Sequence, residues 1–276
     1  MIQDIYPHRL NNKYKNKTVR EDSYVFIGKE GRFLCGCDKD QIYIPKVEDV
    51  LRSLKTEKFT YAFSLDDRDF FFYNGTDYVS ENYEFLSVRE IRERGLGPKH
   101  CVFALLTAKH ISDWYSDNKY CGRCSLEMKH SLTERAMVCS CGYTCYPRIM
   151  PAVIVAVIKG DSLLLTKYKT GYKNYALVAG FTEIGETLEQ TVEREVMEET
   201  GIKVKDIKYY KSQPWGVAND ILVGFFCYAD GDDKIVADKS ELGFAGWIKR
   251  EDIKLQPDDY SLTNEMMMKF KTGEVI

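Results

Sequence analysis

Three glutamates, Glu195, Glu198 and Glu199, fall within five residues of one another. On a helix they occupy positions i, i+3 and i+4, so their carboxylates crowd one face within about one turn. Like charges so placed repel, and the usual match for clustered oxygen ligands is a hard divalent cation such as Mg²⁺. A solvated acidic face is the other reading of such a stretch. What surrounds the triplet favours a metal. Glu186 opens the helix near its positive end, and Arg194 can pair with a carboxylate and orient it. Gly180 and Gly185 let the preceding loop come close, and a backbone carbonyl there, for example that of Ala179, offers a further ligand.

A second constellation is built from cysteine. Cys121 and Cys124 are separated by two residues, and Cys139 and Cys141 follow after 14 more. Two short Cys knuckles joined by a hairpin have the look of a zinc ribbon, a closed site of four thiolates and hence a structural one. The second knuckle has one intervening residue where two are usual, and Cys145 stands close by as a substitute ligand. A reduced, metal-free cluster or a redox pair remain open. Cys35 and Cys37, in a strand-and-turn context without a second pair nearby, read as structural.

The elements that must position these groups follow from patterning. With 276 residues, 44% hydrophobic and 29% charged, the chain is long enough for two domains and a small third module. No apolar run reaches 18 residues, which excludes a membrane-spanning helix, and the MIQDIYPHRL start lacks the basic and apolar parts of a secretory signal. A cytoplasmic location is expected. A net charge of −3 argues against a protein whose main task is gripping nucleic acid over a wide surface. Five basic residues in the ribbon region, Lys119, Arg123, Lys129, Arg135 and Arg148, outnumber Glu127 and Glu134 as a weak local footprint.

Short aromatic runs such as Phe70-Phe71-Phe72-Tyr73, bounded by Gly, Asp or Asn, predict strands and turns in an N-terminal α+β domain, with a short helix from Leu86 to Arg94. The spacing from Lys99 to about Ser116 predicts a linking helix. From Pro151 the texture becomes a strand hairpin, a helix from about Leu188 to Glu199 that stops at Gly201, strands around Val204 to Lys211, Ile221 to Tyr228 and Phe244 to Ile248, and a terminal helix from Leu262 to Phe270. The boundaries expected are residues 1–115, 116–147 for the ribbon, and 148–276.

The spacing Gly180-x5-Glu186-x7-Arg194-Glu195-Val196-x-Glu198-Glu199-x-Gly201-Ile202 matches every specified position of the Nudix box, and the chain resembles the Nudix hydrolase family. The resemblance implies an α/β/α sandwich and Mg²⁺- or Mn²⁺-assisted hydrolysis of a nucleoside diphosphate linked to another group, the metal lowering the pKa of an attacking water. It makes Glu195, Glu198 and Glu199 the metal ligands, with one of them or a later Glu as base. Glu241, six residues before Trp247, is the candidate for that later residue; a surface loop residue is the alternative.

A zinc ribbon directly before the box is similar to the NADH pyrophosphatase subfamily, over roughly residues 20 to 270. Tyr146-Pro147-Arg148-Ile149, Ala179-Gly180-Phe181 and Ser212-Gln213-Pro214-Trp215 agree with it. By this likeness Tyr146, Phe181 and Trp215 would lie against a base, although each also suits core packing. The likeness further implies a homodimer with a shared site, cleavage of NADH or NAD⁺ into nicotinamide mononucleotide and AMP, and removal of an NAD cap from RNA at the same site. One stretch departs: the subfamily continues as Pro-Phe-Pro-x-Ser where this chain has Gly216-Val217-Ala218-Asn219-Asp220. Asn219 and Asp220 can hydrogen-bond a ribose or amide, but Asp repels phosphate, which puts the preference for NADH in doubt. The rival readings are a Nudix hydrolase for ADP-ribose or diadenosine polyphosphates, and a zinc-ribbon nucleotide sensor that does not hydrolyse.

Overall fold

The computed structural model describes residues 1–52, 55–171 and 174–274, and the chain separates into two compact units. One holds Ile2–Arg148 and Gly216–Asn219; the other holds Met1, Ile149–Trp215 and Asp220–Ile276.

The first unit is α+β. Strands β1 (Leu10–Asn11), β2 (Tyr24–Phe26), β3 (Gly28–Lys29), β4 (Arg32–Asp38) and β5 (Gln41–Tyr43) precede a single turn of helix α1 (Val47–Val50). Strands β6 (Phe59–Leu65), β7 (Arg68–Tyr73) and β8 (Tyr83–Leu86) follow, then helices α2 (Val88–Glu93) and α3 (Lys99–Asp117). One sheet runs β1-β6-β7-β2 and another β3-β4-β5 with β8 on β4. The aromatic run on β7 is buried on both faces of its sheet: Phe71 packs with Val25 and Tyr61 on one, while Phe70 and Phe72 lie against Phe26 on the other. The α2 helix starts at Ser87, whose hydroxyl caps the Glu90 N–H while the Glu90 carboxylate returns to the Ser87 N–H.

The ribbon belongs to this unit. Its strands β9 (Lys129–His130), β10 (Met137–Val138) and β11 (Thr144–Cys145) pair in the order β11-β10-β9. So small a sheet cannot bury its own core. Trp114 of α3 supplies one, packing with Met128 and Met137 beside Cys121 and Cys139.

The second unit is an α/β/α sandwich. Its central strand is β12 (Met150–Lys159), followed by β13 (Ser162–Tyr168), β14 (Val178–Phe181), helix α4 (Leu188–Thr200), β15 (Val204–Trp215), β16 (Asp220–Ala229), β17 (Leu242–Lys249) and helix α5 (Leu262–Thr272). The sheet order is β15-β16-β12-β13-β17, with β14 on the first half of β12. The unbroken apolar run of β12 is explained by burial on both faces. Ile154 and Ala156 face Met266 and Phe270 of α5, while Val153, Val155 and Val157 face Val192 and Val196 of α4.

Sequence patterning placed β15 only to about Lys211, whereas the strand continues through Gln213-Pro214-Trp215. Pro214 is tolerated because β15 is an edge strand, where a missing N–H costs no ladder bond.

Candidate active site

Helix α4 carries the glutamates and is fixed at both ends. Thr187 caps it through the Gln190 N–H, and Gly201 ends it in the left-handed conformation at φ 72°. Its carboxylates separate by face. Glu195 and Glu199, one turn apart, turn toward β14; Glu198 stays exposed.

The turn toward β14 requires Gly180. A Cβ at that position would overlap the Glu195 carboxyl group, so the glutamate is seated against bare backbone. Glu199 lies beside it, 5% exposed, bonded by the backbone N–H of Ala179, with Oε2 buried and without a hydrogen-bond partner. Burial, joined by the charges of Glu195, Glu241 and Asp238, pushes its carboxyl up to about 8. Burial likewise raises Glu195.

A buried carboxylate oxygen without a protein partner among acidic neighbours is a donor set that fits a hard divalent ion. Glu195, Glu199 and Glu241 interact electrostatically here, with Glu198 on the outer side and Ala179 on the strand beneath.

Arg194 holds the edge of this cluster. Its Nε and Nη2 donate to the two oxygens of Glu186 at 2.6 and 2.9 Å, Nη1 donates to Glu195 at 2.7 Å and Glu198 at 3.1 Å, and Nη2 also reaches the Phe181 carbonyl at 2.9 Å. Glu186 accepts in addition from Thr191 Oγ1 and the Glu183 N–H, and Arg194 above all holds its carboxyl down near 2. Glu186 therefore fastens the loop through the arginine, which also touches Glu195 and Glu198, while Glu199 keeps an oxygen without a partner.

Two residues of this surface carried no periodic or motif signal. Tyr168, at the end of β13, has its phenol pushed up to about 12 by burial and then by Glu199, Glu241 and Glu195. Asp238 adds charge beside Glu199, and its backbone N–H donates to the Glu199 carbonyl at 2.9 Å.

Two of the residues expected against a base, Phe181 and Trp215, lie at one end of the sheet. Phe181 pairs with Ala152, Asp220 with Met150, and Trp215 with Asp220. Phe181 is exposed and Trp215 half-buried, and their Cα atoms stand three strand spacings apart, about 14 Å. That is too far to sandwich one ring and suits contacts to separate parts of a ligand.

Gln213, expected among the substrate-binding residues, is seen in an anchoring role. It is fully buried, its Nε2 donates to the Tyr260 carbonyl and its Oε1 accepts the Leu262 N–H, both at 2.7 Å, so its amide fixes the start of α5. Pro214 is exposed on the strand. Asp220 is buried, its Oδ1 lacks a partner, and burial pushes its carboxyl up to about 6.

In the other unit, Asn219 has φ 60° and a buried, unpartnered Oδ1. The altered stretch there is docked on α3. Gly216 lies so close to the Leu106 carbonyl that any Cβ would overlap it, and Lys109 Nζ donates to the Val217 carbonyl at 3.3 Å. Proline, which has a Cβ, does not fit at 216. Tyr146 is exposed, and its hydroxyl donates to Glu134 at 3.1 Å.

The thiols of Cys121, Cys124, Cys139 and Cys141 lie within 4.8 Å of one another. The separations Cys121–Cys141 of 3.7 Å and Cys124–Cys139 of 3.4 Å approach the ~3.8 Å expected between thiolates around a tetrahedral zinc. The set fits zinc. Cys145 stands apart, its Sγ donating to Asn118 Oδ1 at 3.0 Å.

Comparison with known proteins agrees with this architecture. The family profile of the NUDIX domain matches residues 148–269. The chain is similar to the NAD-capped RNA hydrolase NudC of Escherichia coli O157:H7, 42% identical over 179 residues, 63% of this chain and 67% of that protein. It is likewise similar to the protein of that name from Shigella flexneri, 47% identical over 175 residues, 62% of this chain and 66% of that one. The match thus spans about two thirds of these relatives' length. Among solved structures, a NUDIX hydrolase from Nitrosomonas europaea shares the fold with TM-score 0.50 and 19% identity, over 56% of this chain and 92% of that one.

Proposed function

The chain belongs to the Nudix hydrolase family, on the branch of the NAD-capped RNA hydrolases, and from that premise we propose that it hydrolyses the diphosphate of NADH and NAD⁺ to nicotinamide mononucleotide and AMP. The same chemistry at the same site removes an NAD cap from RNA. The observation that carries the reading is the seat of Glu195 on Gly180 beside the partnerless buried oxygen of Glu199.

Glu195, Glu198 and Glu199, with the Ala179 carbonyl and Glu241, are the groups that would hold Mg²⁺ or Mn²⁺. When bound, such an ion neutralises diphosphate charge and acidifies a water. The protein's own contribution is orientation. Arg194 fixes Glu195 and Glu198 and ties them to the Glu186 loop, so the carboxylates are set before substrate arrives. Glu241, exposed at the rim of the cluster, is placed to take the proton of the attacking water at its carboxylate. Phe181 and Trp215 offer faces to the flat rings of the dinucleotide, and Asp220, paired with Trp215 on the sheet, keeps an acceptor without a protein partner beside them.

Zinc bound by Cys121, Cys124, Cys139 and Cys141 serves structure, and the active form is a homodimer in which Tyr146 contributes across the interface. We place the protein in the cytoplasm, where all nine cysteines stay reduced. No helix among the described residues is long and apolar enough to cross a membrane.

The test is turnover of NADH, NAD⁺, NAD-capped RNA, ADP-ribose and diadenosine compounds with Mg²⁺ or Mn²⁺, products identified by mass, beside Glu199→Gln. Mononucleotide plus AMP, abolished in the variant, is expected. The altered stretch docked on α3 favours a second reading, in which ADP-ribose or a diadenosine polyphosphate is the better substrate. Binding without turnover of any of them would instead indicate a sensor.

A further inference from the structure

Strand β15 is an edge of its sheet: β16 bonds one side, and no strand of the described residues bonds the other. Lys203 just before it, and Lys205, Lys208 and Lys211 along it, are exposed, and Tyr209 between them is 62% exposed. Lys203 and Lys208 have no carboxylate partner among the described residues. Lys205 pairs with Asp230 at 2.8 Å, an exposed pair that a phosphate can exchange into at little cost, while Lys211 is held at 2.6 Å by the largely buried Glu265 and keeps that partner.

An open edge invites a β-strand partner, but this one is a poor template. Its register slips twice, between Lys205 and Lys208 and between Tyr209 and Ser212, and bulges of this kind break the ladder a second strand would need. What the edge does present is four spaced cations, with one exposed carboxylate, Asp206, among them, around an exposed ring over about 26 Å of strand. It also has a direction, ending at Pro214 and Trp215, at the end of the sheet where Phe181 and Asp220 also lie. Cations spaced along a backbone track beside a stacking ring are how single-stranded nucleic acid is held without sequence preference.

We propose that β15 is the track for the RNA body of a capped substrate: the strand that continues from the adenosine 3′ oxygen lies along β15, its phosphates on the lysines and one base on Tyr209. The inference rests on the capped-RNA reading of the active site.

The experiment compares the wild type with a Lys203→Glu/Lys208→Glu double variant, the matching double Arg variant, and Tyr209→Ala. Each is assayed on NADH and on a short NAD-capped single-stranded RNA. Binding of the same RNA bearing a 5′ monophosphate is followed by fluorescence anisotropy between 50 and 200 mM salt. For the Glu variant, unchanged NADH turnover is expected, with an approximately tenfold lower kcat/KM on capped RNA and a salt slope of binding smaller by about two. Tyr209→Ala should weaken RNA alone, and the Arg variant should behave as wild type. Unchanged RNA turnover and slope would overturn the proposal, leaving lysines that only blunt a sheet edge. Equal losses on NADH and RNA would overturn it too. If neither substrate is hydrolysed, the hydrolase reading falls, while the binding slopes still decide the track.

Discussion

The carboxylate of Glu195 occupies the space that a β-carbon on Gly180 would need. Helix and strand are thereby locked in a register where a one-atom addition on β14 displaces a candidate metal ligand on α4. Gly180→Ala is expected to fold, because the overlapping atoms end a side chain that can swing away. Displacing a reacting group by about 1 Å can cost some 10²-fold in rate, and kcat on NADH should fall by about that much. Steady-state kinetics beside a thermal melt would decide it; a fully active variant would mean that Glu195 has no fixed catalytic position.

Arg194 makes a different prediction, because its role needs two donor edges at once. One guanidinium reaches Glu186, Glu195, Glu198 and the Phe181 carbonyl. A lysine keeps the charge but cannot span these four groups. Arg194→Lys should therefore lose roughly 10²-fold in kcat with little change in the melting temperature. Wild-type turnover would show that charge alone suffices.

The ribbon offers a test by ligand identity. Four thiols converge without Cys145, so Cys139→Ser should lower bound zinc from one per chain and destabilise the first unit, whose Trp114 packs directly on Cys121 and Cys139. Cys145→Ser should retain the metal. Metal content by mass spectrometry separates them, and zinc loss in the Cys145 variant alone would reverse the assignment.

How far this site was legible in the sequence depends on range. The helix carrying Glu195, Glu198 and Glu199 was readable because caps, periodicity and charge spacing are all local, and the first Cys pair for the same reason. The altered second knuckle left Cys139, Cys141 and Cys145 unresolved until the hairpin geometry placed Cys145 against Asn118. The anchoring bond of Gln213 was not legible because a buried amide bonding the chain 47 residues away has no local signature. Tyr168 and Asp238 stayed invisible because only the pairing of β13 with β17 and the return of the chain past α4 bring them to the carboxylates. The docking of Gly216 on Leu106 is equally non-local, and it explains why proline is absent at 216.

Asp220 yields a prediction in which the sign is the test. Its carboxyl is buried with Oδ1 unpartnered, and burial raises it to about 6 from an ordinary 3.8. A carboxyl with a raised pKa binds its proton more tightly in the folded chain than in the unfolded one. Stability should therefore fall as pH rises from about 4 through 6 and level off above, the ionised group costing at most about 3 kcal/mol at neutral pH. Asp220→Asn keeps the shape and removes the charge. The variant should match the wild type near pH 4 and melt several degrees higher near pH 8. A gap that did not widen with pH would show that Asp220 is ionised at no cost, and hence that a cation or solvent reaches it in solution.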